Sequence, residues 1–223
     1  MTSSQGRVIT IDGPAASGKS SVSRELARQL GWRWVSTGAF YRGVAYVALK
    51  EGIEAEHTAQ LVRLVGDPIW SVRMDDDQTR VIYRGQDVTE QILSEDNGSR
   101  ASRISQIPEV RAALLQNQRD CAMGVPGLVA EGRDCGTVVF PNALLKIYLT
   151  ASQEERALRR ALEQGLSIEQ THSQQVVRDR QDSTRATAPM QAAADARVVN
   201  SSGMQLPQVV EMVHGWAREA LGE

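Results

Sequence analysis

Near one end the chain reads Val8-Ile9-Thr10-Ile11, then Asp12, then Gly13-Pro14-Ala15-Ala16-Ser17-Gly18-Lys19-Ser20. The first four residues form a short β-branched run that is typical of a buried parallel strand. The glycine-bearing octapeptide has the spacing GxxxxGK[ST], and from Ser21 to Leu30 the apolar residues recur on one helical face. A strand, a glycine loop and a helix in this order are the context that a Walker A loop requires.

This loop has a specific chemistry. Its backbone N–H groups converge on an anion at the helix N-terminus, where the helix dipole adds to the attraction. Lys19 supplies a mobile positive charge for the terminal phosphates, and the Ser20 hydroxyl supplies a ligand for Mg²⁺. The loop alone leaves open a kinase, a switch GTPase and a motor. We therefore expect ATP or another nucleoside triphosphate, with Mg²⁺, to bind at Gly13, Pro14, Ala15, Ala16, Ser17, Gly18, Lys19, Ser20 and Ser21.

Length and composition are those of one globular domain. The chain has 223 residues, of which 41% are hydrophobic and 23% charged. Its apolar runs are far shorter than the ~18 residues of a membrane span, so no membrane association is expected. A net charge of −2 argues against binding of nucleic acid along the chain. Cys121 and Cys135 have no CxxC spacing and are predicted to be free thiols, which favours a cytoplasmic location.

Strands and helices alternate through most of the chain. After Val8–Ile11, further interior strands are predicted at Trp32–Val35, Leu128–Glu131, Leu144–Leu149 and Arg197–Asn200. Amphipathic helices are predicted at Ala39–Lys50, Pro108–Met123, Ser152–Gln164 and Pro207–Leu221. This alternation predicts an α/β fold, with a five-stranded parallel sheet flanked by helices and ligands at the carboxyl ends of the strands.

Two segments interrupt the alternation. Residues 69–74 and 80–84 alternate apolar and polar side chains, which predicts a half-exposed antiparallel hairpin inserted into the parallel core. Residues 166–188 are polar and carry arginines, and they are expected to form a mobile flap. Within it Arg178, Asp182 and Arg185 have spacings of four and three, so one helical face could present all three inward.

Chemistry-bearing residues follow two of the predicted strands. Thr37-Gly38-Ala39-Phe40-Tyr41-Arg42 follows the second strand, and Glu131-Gly132-Arg133-Asp134 ends the third. Because parallel strands end at one edge of the sheet, we expect both clusters beside the glycine loop. Two interpretations of Glu131 remain open: it is a plain acid at a strand end, or it orients Mg²⁺ through water. The same two interpretations apply to Asp12.

These elements closely resemble the bacterial cytidylate kinases, within the P-loop nucleoside monophosphate kinases. The resemblance covers nearly the whole chain, and it includes the TGAFYR element, Gly132-Arg133-Asp134-Cys135-Gly136-Thr137-Val138-Val139-Phe140-Pro141, and the segment from Arg178 to Pro189. It implies one domain over residues 1–223, a nucleoside-monophosphate-binding insert at 66–95 and a helical lid at 156–186. Gln181 and Ser183 stand at positions that can be arginine in relatives, which leaves open how many cations the closed lid supplies.

The resemblance also implies a role for each matching residue. Arg42, Arg133 and Arg185 would hold the phosphate of CMP, and Thr37 and Tyr41 would line the same pocket. Ser102, Arg111 and Asp134 would contact the edge of cytosine, and Arg178 and Asp182 the pentose hydroxyls. Lys19, Arg133 and Arg185 would carry the catalysis. Arg156 and Arg160, one helical turn apart, are candidates to stack on adenine or touch the phosphates of ATP.

The reaction implied is transfer of the γ-phosphoryl group of ATP to CMP or dCMP by a monomer. The acceptor phosphate has a second pKa near ~6, so it is ionised at neutral pH and needs no general base. The barrier is repulsion between two polyanions, which positive charge and alignment offset.

Shikimate, adenylate and thymidylate kinases remain alternatives that keep Lys19. A GTPase switch is disfavoured because no Asn-Lys-x-Asp occurs, and a motor is disfavoured by the net charge.

Overall fold

The computed structural model describes residues 6–75, 77–165 and 167–223. In chain order its elements are β1 (Arg7–Asp12), α1 (Lys19–Leu30), β2 (Arg33–Ser36), α2 (Gly38–Lys50), α3 (Thr58–Val65), β3 (Trp70–Met74), β4 (Thr79–Tyr83), β5 (Gln86–Asp87), α4 (Thr89–Ile92), α5 (Glu95–Ile104), α6 (Pro108–Asp120), β6 (Gly127–Gly132), a π-helical turn (Cys135–Val139), β7 (Leu145–Thr150), α7 (Gln153–Gln164), α8 (Ile168–Ser183), β8 (Arg197–Asn200) and α9 (Leu206–Leu221).

Five of the strands form a parallel sheet in the order β2-β6-β1-β7-β8. Ile9 of the central strand β1 pairs with Val129 on one side and with Leu145 on the other. The predicted five-stranded parallel sheet is confirmed, and each predicted strand overlaps an observed one. Because every strand runs the same way, the segments after β1, β2 and β6 lie at one edge of the sheet.

Both faces of the sheet are buried, as the apolar strand sequences require. Ile9 and Ile11 pack in a core shared with Leu26 of α1 and Val213 of α9. Val8, whose side chain points the opposite way, belongs to a second core with residues of α2, α3 and α6. In the described ranges, no helix is both long and apolar enough to cross a bilayer.

The interruption after α3 is a small antiparallel sheet. β3 pairs with β4, which confirms the predicted hairpin, and the two-residue strand β5 adds a third strand that the sequence pattern did not indicate. Trp70 of β3 packs on α2 so closely that a Cβ at Gly43 would lie 2.7 Å from the indole ring. Its Nε1 donates a hydrogen bond of 2.7 Å to the carbonyl of Leu64. The small sheet is therefore anchored to the core by one aromatic residue.

The segment after β7 is a pair of helices, α7 and α8. The helical form expected for this segment is confirmed, since residues 153–164 form α7 and residues 168–183 form α8. Apolar periodicity indicated only α7, and the mobility of the flap stays a prediction. The Ser167 hydroxyl accepts a hydrogen bond from the Gln170 N–H and caps the helix. Arg185 lies beyond the end of α8, so the prediction that Arg178, Asp182 and Arg185 share one helical face is wrong.

Candidate active site

The glycine loop closes around the N-terminus of α1. A Cβ at Gly13 would lie 2.0 Å from the carbonyl oxygen of Leu149, so only glycine fits between the loop and β7. Gly18 has a φ of 87°, in the left-handed region that favours glycine, and it precedes the first residue of α1. The Lys19 ammonium donates a hydrogen bond of 2.9 Å to the carbonyl of Pro14. These contacts give the loop the anion-binding form that its sequence predicts.

Lys19 is a cation with little access to water. Its residue surface is 8% exposed. Burial, followed by repulsion from Arg133, lowers its pKa to about 7, although Glu131, Asp182 and Asp12 oppose the shift. A buried ammonium that also faces a guanidinium is stabilised by a bound anion. The positive charge at the loop therefore attracts phosphate strongly.

The two carboxylates left open by the sequence have different partners. The Ser20 hydroxyl donates to both carboxylate oxygens of Glu131, at 2.8 and 2.9 Å. Asp12 instead accepts from the backbone N–H groups of Cys135 and Gly136, at 2.9 and 2.7 Å. Burial raises the Asp12 pKa to about 6, which those two hydrogen bonds partly offset. Asp12 thus holds the π-helical turn, whereas Glu131 lies next to the hydroxyl that could bind Mg²⁺.

Hydroxyl and carboxylate oxygens are ligands that suit Mg²⁺, so Ser20 and Glu131 fit this ion. Across residues 6–75, 77–165 and 167–223, no group of three His, Cys, Asp or Glu side chains is arranged to hold a metal. Mg²⁺ is usually held by one or two protein carboxylates together with phosphate oxygens and water.

A group of arginines lies opposite the glycine loop. Arg42 of α2 donates 2.9 Å to the carbonyl of Ile92, and burial, followed by repulsion from Arg160 and Arg178, lowers its pKa to about 10. Glu95, the first residue of α5, forms ion pairs with Arg178 and, at 3.3 Å, with Arg160. The Glu95 carboxylate therefore lies among the guanidinium groups of Arg42, Arg160 and Arg178.

α5 leaves space for the side chains of two of these arginines. A Cβ at Gly98 would lie 2.9 Å from the Arg178 guanidinium and 3.1 Å from that of Arg42. The Asn97 amide donates to the backbone carbonyl of Arg42 at 3.0 Å and to that of Ile92 at 2.9 Å. The absence of a side chain at Gly98 and the Asn97 amide together fix where the Arg42 guanidinium lies.

Arg133 and Arg185 approach the same cavity from other elements. Arg133, after β6, pairs with Asp182 of α8 at 2.9 Å. The Arg185 Nε donates 3.2 Å to the backbone carbonyl of Asp182. Arg185 is only 7% exposed, yet its Nη2 has no hydrogen-bond partner within the described part of the chain. A buried guanidinium nitrogen without a partner is costly, so this group is poised for a ligand acceptor.

Arg111 and Asp134 form a buried ion pair at the far end of the cavity. The Arg111 guanidinium also donates 3.3 Å to the carbonyl of Ser105 and lies 5.3 Å from the centre of the Tyr41 ring. Burial raises the Tyr41 pKa to about 12, so its phenol stays neutral. Asp134 lines the cavity, whereas its ion-pair partner Arg111 lies outside the lining.

One cavity of about 440 Å³ brings most of the predicted residues together. The following predicted residues line it: Ala15, Ala16, Gly18, Lys19, Ser20, Ser21, Thr37, Tyr41, Arg42, Ser102, Arg133, Asp134, Arg160, Arg178, Asp182 and Arg185. The remaining predicted residues lie outside this lining: Gly13, Pro14, Ser17, Arg111 and Arg156.

Two residues have their polar atoms engaged by the protein. The Thr37 hydroxyl donates 2.8 Å to the backbone carbonyl of Glu131, so its proton points away from the cavity. Arg156 donates 3.1 Å to the carbonyl of Ala15 and pairs with Asp179 of α8 at 2.6 Å. Arg156 thus ties α8 to the glycine loop.

The sequence did not identify Glu95 as part of the site. Its partner Arg178 is 83 positions away along the chain, a separation that no local pattern reveals. The Ser94 hydroxyl that caps α5, together with Glu95 and Asp96 in its first turn, is a helix-start signal that could have placed it.

A glycine loop and an arginine-lined pocket at the carboxyl edge of a parallel sheet define a P-loop kinase that acts on a small phosphorylated molecule. The family model described as cytidylate kinase matches residues 9–219. A cytidylate kinase of Bdellovibrio bacteriovorus is 61% identical over 93% of this chain and 96% of its own length. Those of Pseudomonas fluorescens and Aeromonas salmonicida are 44% and 42% identical, over 92% and 97% of this chain and 93% and 96% of their own lengths. The chain belongs to the cytidylate kinase family.

Proposed function

We propose that the protein transfers the γ-phosphoryl group of ATP to the phosphate of CMP or dCMP. The observation that carries this proposal is a single cavity of about 440 Å³ with two anion-binding ends. Lys19 and the glycine loop form one end. Arg42, Arg133 and Arg185 lie toward the other, beside Asp134. Membership of the cytidylate kinase family supports the same reaction.

In this proposal the arginines bring two polyanions together. Arg42, Arg133 and Arg185 hold the acceptor phosphate, and the unpartnered Nη2 of Arg185 gains the partner it lacks. Lys19 holds the terminal phosphates of ATP. The acceptor oxygen is already ionised at neutral pH, so no side chain has to remove a proton. Catalysis then rests on alignment and on charge stabilisation of the transferring group.

The remaining predicted roles are kept for the acceptor nucleoside. Ser102, Arg111 and Asp134 contact the edge of cytosine, Arg111 as the ion-pair partner of Asp134, and Tyr41 and Thr37 line the pocket. Arg178 and Asp182 contact the pentose hydroxyls, and in doing so exchange their present partners Glu95 and Arg133 for the sugar. Arg160 and Arg156 serve the ATP side, Arg156 through the backbone of Ala15.

The proposed division of the chain is one domain with two closing parts. Residues 66–95 form the nucleoside-monophosphate-binding insert and residues 156–186 the lid. The ion pairs Arg178–Glu95 and Arg133–Asp182 link the lid to α5 and to the residues after β6. Closure of these parts would exclude water and suppress hydrolysis of ATP. The protein is proposed to act as a cytoplasmic monomer, and sedimentation at micromolar concentration checks its oligomeric state.

A panel of acceptors tests the proposed reaction. ADP release from ATP is measured with CMP, dCMP, UMP, AMP and shikimate as acceptors. A site with buried polar groups rejects a ligand that leaves them unpaired, so CMP or dCMP should exceed AMP and shikimate in kcat/KM by about 10²-fold or more. Equal or faster turnover of AMP or shikimate would instead favour one of the other P-loop kinases.

Mg²⁺ is proposed to bind at Ser20 with Glu131 beside it, and to neutralise charge on the transferring phosphates. We expect Glu131→Gln to raise the Mg²⁺ concentration for half-maximal activity by about tenfold, since residues that orient a metal ligand have effects of this size. The measurement is a Mg²⁺ titration of activity at saturating ATP and CMP. Glu211→Gln, which changes an exposed glutamate on α9, is the control. An unchanged Mg²⁺ dependence in Glu131→Gln contradicts the assignment.

A further inference from the structure

Gln181 does not line the cavity, but it contacts a residue that does. The Ser102 hydroxyl of α5 donates a hydrogen bond of 2.7 Å to the side-chain carbonyl oxygen of Gln181 in α8. Both residues are partly buried. Ser102 is part of the cavity lining and Gln181 is not. Any effect of Gln181 on a bound nucleotide must therefore act through Ser102.

A second contact joins the same two helices, α8 and α5. Arg178, three residues earlier on α8, pairs with Glu95 and donates 3.3 Å to the hydroxyl of Ser99. Residues three or four apart share one face of a helix. Gln181 and Arg178 thus lie on the face of α8 that runs along α5, next to Ser102 and Ser99.

The hydrogen bond decides which way the Ser102 hydroxyl can act. A serine hydroxyl has one proton to donate and two lone pairs that accept. Because the proton is directed to Gln181, Ser102 can offer the cavity only its lone pairs. Asp134 nearby is a carboxylate paired with Arg111, and it too is an acceptor. Ser102 and Asp134, which both line the cavity, therefore both present acceptors to a donor on the ligand.

We propose that Gln181 is a positioning residue that makes the cavity select a pyrimidine with an exocyclic amine over one with a carbonyl at that position. This inference rests on the proposed function. Cytosine carries an amine donor where uracil carries a carbonyl acceptor. An amine can donate to Ser102 and Asp134, whereas a carbonyl faces lone pairs on both sides. If Gln181 did not hold the proton, Ser102 could turn its hydroxyl and donate to uracil.

Two substitutions at Gln181 separate its acceptor atom from its bulk. Gln181→Met removes the acceptor and keeps the length of the side chain, and Gln181→Glu keeps an acceptor oxygen. We expect Gln181→Met to lower the ratio of kcat/KM for CMP to that for UMP by about tenfold, mainly through a lower KM for UMP. Gln181→Glu should keep the ratio of the wild type. Both nucleotides are assayed on one preparation, so any unfolded fraction cancels.

Coupling to Ser102 distinguishes positioning from a general effect on the lid. In a Ser102→Ala background, adding Gln181→Met should leave the CMP-to-UMP ratio unchanged, because there is no hydroxyl left to orient. Gln170→Met, at an exposed glutamine on the same helix, is the matched control and should behave as the wild type.

The outcomes that overturn this inference differ from those that overturn the proposed function. If Gln181→Met keeps the wild-type ratio, or if Gln181→Glu loses it as the methionine variant does, Gln181 does not act as a hydrogen-bond acceptor for Ser102. The proposed function survives both results, provided that the wild type phosphorylates CMP. If the wild type has no activity on CMP or dCMP, the proposed function itself is contradicted.

Discussion

Lys19→Met is expected to lower kcat by about 10³-fold, because it removes the only lysine of the glycine loop from the charge that develops on the transferring phosphates. The ammonium is buried and faces Arg133, and its pKa is lowered to about 7 for want of an anion. ATP supplies that anion. Methionine fills nearly the same volume, so the loop should keep its form while it loses the charge. The measurement is steady-state ADP release with CMP as acceptor.

Lys146 provides a matched control for this substitution. It is also a buried lysine, but it belongs to β7, pairs with Asp195 at 2.9 Å and lies outside the cavity lining. Lys146→Met should keep kcat within a few-fold of the wild type, whatever it does to the thermal unfolding midpoint. If Lys19→Met retained full kcat while ATP still bound, the glycine loop would not be the site of the transferring phosphates.

The glycine loop and the sheet could be predicted because their signals are local. Val8–Ile11, the glycine spacing and the helix after it lie within one stretch of sequence, and each strand carries its own apolar run. The edge of the sheet where Thr37 and Arg133 lie follows from the parallel topology alone. The glycine loop, the helix after it and the five strands were therefore predicted correctly, whereas α3 and α5, which are local elements too, were not predicted.

Apolar periodicity did not indicate α8, whose helical form only the family resemblance implied, because the buried side of this helix is polar. Thr171, Gln175 and Asp182 are its most buried residues, while Val176 and Val177 are exposed. Gln175 donates 3.0 Å to the backbone carbonyl of Arg156, so polar contacts hold α8 on α7. A search for apolar periodicity misses a helix packed in this way. Contacts such as Gln181 with Ser102, 79 residues apart, depend on the fold and leave no sequence pattern.

Arg133→Ala is the second substitution with a large expected effect. Arg133 lies between the two ends of the cavity, where it pairs with Asp182 and lowers the pKa of Lys19 by repulsion. It is thus close to both polyanions in the proposed reaction. We expect kcat/KM for CMP to fall by about 10³-fold, the size of effect attributed to an arginine that stabilises a transferring phosphoryl group. Much of the loss should persist in kcat at saturating CMP.

The loss has to be separated from the effect of leaving Asp182 buried without its cation. Arg133→Ala combined with Asp182→Asn removes that unpaired charge, so thermal stability should recover while kcat stays low. Arg133→Lys keeps the charge but not the planar pair of N–H donors, and should restore only part of the activity.

Arg197→Ala, which breaks an exposed pair with Glu219, is the matched control and should leave kcat unchanged, since such surface pairs contribute little. Full activity of Arg133→Ala on CMP would mean that the acceptor phosphate is held elsewhere, and recovery of kcat in the double variant would mean that Arg133 acts only by pairing with Asp182.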